Sequence, residues 1–144
     1  MALEVVLDTG VFVAGLRSSR GASFQILRRI GTGQFDIDLS VPLVLEYEEV
    51  LKREAHAIGL TLAEIDDVLD YVCGVGRHRE IFFLWRPILK DAFDDHLMEV
   101  AVAGECQYVV THNLGDFSGC ASFGIHAITP GDFLRILQQG ESKR

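Results

Sequence analysis

The sequence of 144 residues has few cysteines, few prolines and no long apolar run. Its three cysteines form no CxxC pair, which excludes a readable zinc knuckle or disulfide framework; they are Cys73, Cys106 and Cys120. We expect each to pack as a small apolar residue in a reducing, cytoplasmic setting. No run of about 18 apolar residues exists, so we expect no membrane-spanning helix. No basic and apolar leader precedes Asp8, which argues against a signal peptide.

Positive charge is also scarce, because 13 Lys and Arg against 21 Asp and Glu give a net charge of −8. Phosphate binding normally uses Lys and Arg, so this balance argues against a protein that grips nucleic acid through overall charge. A metal-dependent nuclease is not excluded, because bound divalent cations offset a carboxylate cluster. With 49% apolar and 24% charged residues and no linker or repeat, residues 1–144 are predicted to form one globular domain.

Several common catalytic motifs are missing. The sequence has no G-x-S-x-G nucleophile elbow and no G-x-x-x-x-G-K-[ST] phosphate loop. The run 31–33 is only G-x-G and precedes a strand, so it is not a dinucleotide-binding fingerprint. No H-E-x-x-H pair occurs among the five histidines. One of these histidines, His112, lies near the acidic positions described below. Two roles are open for it, that of a surface residue and that of a substrate contact.

Apolar periodicity predicts strands and helices in alternation. Strands are expected at 3–7, 35–39, 81–85, 108–110 and 125–128. Helices are expected near 11–16, 22–29, 42–51, 61–75, 91–104 and 130–137. Pro42 suits a first helical turn, and Thr61 with Glu64 forms a capping box. The alternation predicts an α/β fold with a mainly parallel sheet covered by helices on both faces.

Acidic residues recur where this fold would bring them to one edge of the sheet. Asp8 directly follows the first strand, Asp116 follows the strand at 108–110, and Glu46 lies early in a helix. Other acids open the helix at 91–104, namely Asp91, Asp94 and Asp95. Taken singly, each has an ordinary role as a turn, cap or solvated helix residue. Together they lie where ligands of parallel α/β folds bind, outside the carboxyl ends of the strands.

A group of three or four carboxylates has a definite chemical use. Like charges held close together repel, so such a group persists mainly when a cation lies between its members. Ligands that are all oxygen suit Mg²⁺ or Mn²⁺ better than zinc. These ions bridge phosphate oxygens and activate water, which points to phosphodiester chemistry.

Four segments resemble the acidic motifs of PIN-domain ribonucleases. They read VVLDT at 5–9, SVPLVLEY at 40–47, DDHL at 94–97 and VTHNLGDF at 110–117. The likeness runs from about residue 3 to about residue 137 and is nearest to the VapC-like toxins of bacterial and archaeal toxin–antitoxin pairs. It implies a PIN-like parallel α/β domain, cleavage of an RNA substrate with Mg²⁺ or Mn²⁺, a homodimer and a cognate antitoxin protein as partner.

The resemblance also assigns residues. It implies that the metal-binding and catalytic acids are Asp8, Glu46, Asp95 and Asp116. Asp95 is preferred to Asp94 because the family places its acid sixteen residues before the threonine that matches Thr111. The accessory polar positions are Thr9, Asp94, Thr111 and Asn113. One departure is Gly10, which stands where the family usually has Asn, so one polar contact near Asp8 is missing.

Cationic residues near the motifs are candidate phosphate contacts or ordinary surface charges: Arg17, Arg20, Arg86 and Lys90. A mean hydropathy of +0.23 supports the homodimer, with the helices at 43–51 and 61–75 as its expected interface. The alternative function is a PIN-fold module that binds RNA or a partner and has weak or lost catalysis. A phospho-accepting receiver domain is disfavoured, because it expects a late Lys and none lies between Lys90 and Lys143.

Overall fold

A five-stranded, all-parallel sheet forms the centre of the molecule. The computed structural model describes residues 3–80 and 92–142, of which 92–96 and 142 are described by their backbone alone. The strands are β1 Leu3–Leu7, β2 Phe35–Leu39, β3 Arg77–His78, β4 Tyr108–Val110 and β5 His126–Ile128. Their order across the sheet is β3-β2-β1-β4-β5. The expected α/β fold with a parallel sheet is therefore confirmed.

Seven α-helices flank the sheet in the described part of the chain. They are α1 Thr9–Arg17, α2 Ala22–Leu27, α3 Val41–Arg53, α4 Ala55–Ile58, α5 Leu62–Val75, α6 Ala92–Ala103 and α7 Pro130–Ser142. A 3-10 helix spans Leu114–Phe123. None of the helices within 3–80 and 92–142 is long and apolar enough to cross a bilayer.

The predicted elements are confirmed where local signals were strong. Pro42 lies in the first turn of α3, and the Thr61–Glu64 capping box opens α5 with both reciprocal hydrogen bonds. Several boundaries differ from the predicted ones by a few residues: α2 ends at Leu27, β5 begins at His126, and α7 continues to Ser142. The short elements α4 and β3 were not predicted, since four and two residues are too few to show a period. The predicted strand at 81–85 lies outside the described residues.

The core is built on the two central strands. Val5, Val6 and Val110 are fully buried, as expected for strands of a parallel sheet that is covered on both faces. Leu43 and Leu51 of α3 pack into the same core. These contacts fix α3 against the strand β1, whose end carries the first candidate acid.

A charged cluster lies on one face of β2, inside the fold. Asp38 is fully buried, although the strand's alternating pattern places it among the polar positions. Its Oδ1 accepts a hydrogen bond from Arg79 Nε at 3.3 Å, and its Oδ2 accepts one from Cys106 Sγ at 2.7 Å. Arg79 also pairs with Glu4 at 2.8 Å. The chain thus supplies a counter-charge for this fully buried carboxylate.

Candidate active site

The ends of β1 and β4 bring Asp8 and Thr111 together. Leu7 and Val110 are register partners, and Asp8 N donates to Val110 O at 2.9 Å. The buried Thr111 donates from Oγ1 to Asp8 Oδ2 at 2.7 Å, and Asn113 N donates back to Thr111 Oγ1 at 3.0 Å. Two adjacent parallel strands therefore fix the carboxylate at the edge where ligands of such folds bind.

Asp8 stands at the N-cap position of α1, but its side chain makes no capping hydrogen bond. Burial raises the pKa of the Asp8 carboxyl above its ordinary value. The hydrogen bond from Thr111, the backbone amides of Thr9 and Gly10, and the charge of His112 oppose this rise without cancelling it. Among the described residues, no Lys or Arg forms an ion pair with Asp8. The carboxylate is thus held without a fixed cation.

Glu46 is brought to the same place by α3. Ser40 caps this helix, accepting from Leu43 N at 3.2 Å, and the half-buried Glu46 accepts a hydrogen bond at Oε2 from the Thr9 hydroxyl. The next residue, Tyr47, is buried and donates its hydroxyl to Leu7 O. Burial, together with the negative charges of Asp8 and Glu46, raises the pKa of Tyr47. The hydrogen bonds of Thr9 and Tyr47 therefore connect α3, which carries Glu46, to the end of β1 and the start of α1, where Asp8 lies.

An open cleft of about 590 Å³ contains these groups. Its lining includes two expected acids, one expected cation and one acid that the sequence analysis missed: Asp8, Glu46, Arg17 and Glu54. Glu54 directly follows α3 and comes at four-residue spacing after Glu46 and Val50, which continues the face of the helix that carries them; this spacing could have identified it. The described contacts of Arg17 include no ion pair, so its exposed guanidinium is available to a ligand.

The other candidate residues lie at different places. Asp116 is exposed in the first turn of the 3-10 helix, and its backbone N donates to Asn113 O at 3.1 Å. Asn113 is exposed just after β4, and Arg20 is exposed beyond the end of α1. Asp94 and Asp95 lie near the start of α6 in the segment described by its backbone alone. Arg86 and Lys90 lie outside the described residues.

The donor atoms around Asp8 suit a hard divalent cation. Asp8 and Glu46 offer carboxylate oxygens, and the neighbouring groups that hold them are hydroxyls. Oxygen ligands are those preferred by Mg²⁺ and Mn²⁺. Within the described side chains, no three acids, histidines or cysteines lie close enough to hold a metal ion by themselves. A complete four-acid site that includes Asp95 and Asp116 stays a prediction.

The comparisons with known proteins agree with this geometry. A family model described as a PIN domain matches residues 4–115, more than three quarters of the chain. The match includes Asp8, Glu46, Thr111 and Asn113 and ends one residue before Asp116. No curated protein matches the chain.

Proposed function

Because the chain belongs to the PIN domain family, whose members are generally nucleases, we propose that it is a metal-dependent endoribonuclease. The observation that carries the proposal is the Asp8 carboxylate, held by Thr111 beside Glu46 in an open cleft and unpaired with any described Lys or Arg. A half-buried acid in a cleft, with a raised pKa and no counter-charge among the described residues, is typical of a functional site rather than of a structural ion pair.

The proposed cofactor is Mg²⁺ or Mn²⁺, held by Asp8 and Glu46 together with Asp95 and Asp116. Such a cation, when bound, stabilises charge on the phosphate and lowers the pKa of a bound water. Thr111 fixes the orientation of the Asp8 carboxylate, and Thr9 does the same for Glu46. Each carboxylate thus accepts one hydrogen bond from a hydroxyl, and both residues line the cleft.

RNA phosphates are the proposed ligands of the nearby cations. Arg17 supports this because it lines the same cleft as Asp8 and Glu46 and is exposed. Arg20, Arg86 and Lys90, which lie near the motifs in the sequence, are proposed as further phosphate contacts. Neutralisation by a few local cations is consistent with the acidic overall balance, since phosphate binding requires positive charge only where the strand lies.

A toxin role with a cognate antitoxin protein is the finer part of the proposal. It is supported by the likeness of the four acidic segments to VapC-like toxins, and the free thiols of the three cysteines suit a cytoplasmic site of action.

A homodimer is supported by exposed apolar side chains on the two helices expected to pair: Leu45 on α3 and Leu62 and Tyr71 on α5. Light scattering that gives the mass of one 16.0 kDa chain would contradict the dimer.

Cleavage of end-labelled RNA tests the catalytic proposal. Wild type should cut with Mg²⁺ or Mn²⁺ and stop when EDTA is added. Asp8→Asn and Asp95→Asn keep side-chain size but remove the charge that holds the cation, so we expect at least about a thousandfold loss of rate. Glu46→Gln should also lose activity. Glu48→Gln is its matched control, because Glu48 lies on the same helix but pairs with Lys52.

The outcomes separate the two candidate functions. If Asp8→Asn cuts as fast as wild type, the assignment of the site is wrong. If wild type cuts RNA with neither metal, the alternative of a PIN-fold binding module takes its place. Gly10 favours that alternative, because no side chain at this position contributes a polar group to the cleft.

A further inference from the structure

His112 lies over the start of α1, beside the cleft. Its Nε2 is 3.4 Å from Ser23 Oγ, and Ser23 is buried at the start of α2. Among the described residues outside its own helix backbone and its two chain neighbours, a Cβ built on Gly10 would have only His112 Cδ2 within 4 Å, at 3.9 Å. The imidazole therefore lies against the start of α1, where Asp8 and Gly10 line the cleft.

The orientation of the ring follows from these two contacts. Nε2 and Cδ2 are bonded neighbours in the imidazole, and one lies near Ser23 while the other lies near Gly10. Nδ1 is the ring atom opposite the bond between them, so it is directed away from both contacts. His112 is exposed, and within the described part of the chain its Nδ1 has no recorded partner. The protein thus anchors one edge of the ring and leaves the other nitrogen to solvent.

The ring is also close to the acidic site. His112 directly follows Thr111, whose hydroxyl donates to Asp8, and its Cδ2 lies beside Gly10 at the cleft. A phosphodiester bound at Asp8 would place anionic oxygens in the same region. A hydrogen bond from a ring N–H to such an oxygen is charge-assisted, and therefore stronger than a neutral one.

We propose that His112 contacts the substrate, donating a hydrogen bond from Nδ1 to a phosphate oxygen of RNA bound at the cleft, with Ser23 positioning the ring. This inference rests on the proposed function and deepens it, because it adds a phosphate contact that is neither an arginine nor a lysine. Gly10 has a part in it, since larger side chains at this position would extend into the space beside the ring. The competing role for His112 is structural, joining the end of β4 to α2 through Ser23.

Two conservative variants distinguish these roles. Asn places a donor near the position of Nδ1, so His112→Asn keeps the phosphate contact and loses the Ser23 contact. Gln reaches the position of Nε2, so His112→Gln does the reverse. A substrate contact predicts that His112→Asn retains most of the activity and that His112→Gln behaves like His112→Ala. A structural role predicts the opposite order, and it would appear in the melting temperature.

The experiment measures kcat, KM and melting temperature of the four proteins with one labelled RNA and Mn²⁺. Losing a hydrogen bond to a charged group should lower kcat/KM of His112→Ala and His112→Gln by about 10-fold to 100-fold. Their melting temperatures should stay close to that of wild type. If wild type cuts RNA and His112→Ala matches it in kcat and KM, the contact is disproved while the proposed function stands.

A binding measurement keeps the inference testable if wild type cuts nothing. Fluorescence anisotropy with the same RNA in EDTA compares wild type, His112→Ala and His112→Asn. Weaker binding of His112→Ala by about tenfold, with near-normal binding of His112→Asn, supports the contact without cleavage. Equal binding of all three, or no binding by wild type, overturns it.

Discussion

Asp8 directly follows β1 and Asp38 lies on the neighbouring parallel strand β2, and their surroundings differ in one decisive way. Burial raises the pKa of both carboxyls. Asp38 is enclosed by groups that the chain supplies, namely the Arg79 guanidinium and the Cys106 thiol. Asp8 has a neutral hydroxyl from Thr111 and an open cleft. The same residue type is thus closed off in one place and left accessible in the other.

The difference illustrates how a charge enclosed by the fold is distinguished from one that is open to a ligand. A buried carboxylate is unfavourable unless it is paired, so a fold that keeps one for structure also keeps its cation. At Asp38 the pairing extends to Glu4 through Arg79, and burial strongly raises the pKa of the Cys106 thiol, which stays protonated as a donor. At Asp8 no Lys or Arg of the described residues supplies a counter-charge, and in the proposed function that part is taken by a bound divalent cation.

Replacing Arg79, the counter-charge of Asp38, should have the largest effect on the free energy of unfolding. Arg79→Met leaves the fully buried Asp38 without its counter-charge, so we expect a loss of about 3 kcal/mol in the free energy of unfolding at pH 7. The loss should shrink at acid pH, because without Arg79 the pKa of Asp38 rises further and the protonated carboxyl needs no partner. Urea denaturation at pH 7 and pH 4 measures both effects.

Arg77→Met is the matched control. Arg77 is more than half exposed and pairs with Asp36 and Glu4, which are accessible to solvent. Such pairs contribute little, so we expect a loss below about 1 kcal/mol. Equal losses in the two arginine variants would show that Asp38 does not depend on Arg79, and the contrast with Asp8 would fail.

A smaller loss of stability is expected from adding a side chain beside Asp38. Gly104 follows α6, and a Cβ there would come within 2.2 Å of Asp38 Oδ2 and 3.2 Å of Cys106 Sγ. Gly104→Ala should displace the carboxylate and cost about 1–3 kcal/mol in the free energy of unfolding. Gly74→Ala in α5 is the control, because nothing lies within 4 Å of its Cβ, and it should be neutral or stabilising. If the two variants have the same free energy of unfolding, the Asp38 carboxylate is not tightly enclosed.

The smallest expected effect is the pH dependence that Asp8 contributes in the absence of metal. Because the folded pKa of Asp8 is raised, the folded protein binds a proton more readily than the unfolded chain. The stabilisation that protonation of Asp8 contributes is therefore present at low pH and is lost as the pH rises through the folded pKa. Asp8→Asn removes this loss, so its advantage over wild type should grow between pH 4 and pH 7. An advantage that stays constant or shrinks would contradict the raised pKa.

The sequence predicts the parts of this molecule that depend on local signals. The strand 3–7 and the capping box at Thr61 each follow from adjacent residues, and both are present. The pairing of Asp8 with Thr111 could be expected because both directly follow strands of one parallel sheet. The roles of the four acids in binding metal stay a prediction.

The features that the sequence did not predict depend on contacts between distant residues. Asp38 meets Arg79 and Cys106, which lie 41 and 68 residues away, so its alternating pattern could not show that it is buried. Glu54 reaches the cleft only because α3 continues for two turns beyond Glu46 along the wall of the cleft. Short elements such as β3 form through pairing with β2 rather than through their own periodicity.

Thermal melting with and without Mn²⁺ tests most directly whether Asp8 needs an external cation. At a hundredfold excess over the dissociation constant, binding to the native state stabilises by about 2.7 kcal/mol, or roughly 8 °C for a chain of this size. We predict this rise for wild type and for Asp36→Asn, whose half-exposed carboxylate pairs with Arg77 outside the cleft. We predict little or no rise for Asp8→Asn. The absence of a shift in wild type at millimolar Mn²⁺, or an equal shift in Asp8→Asn, would contradict the account.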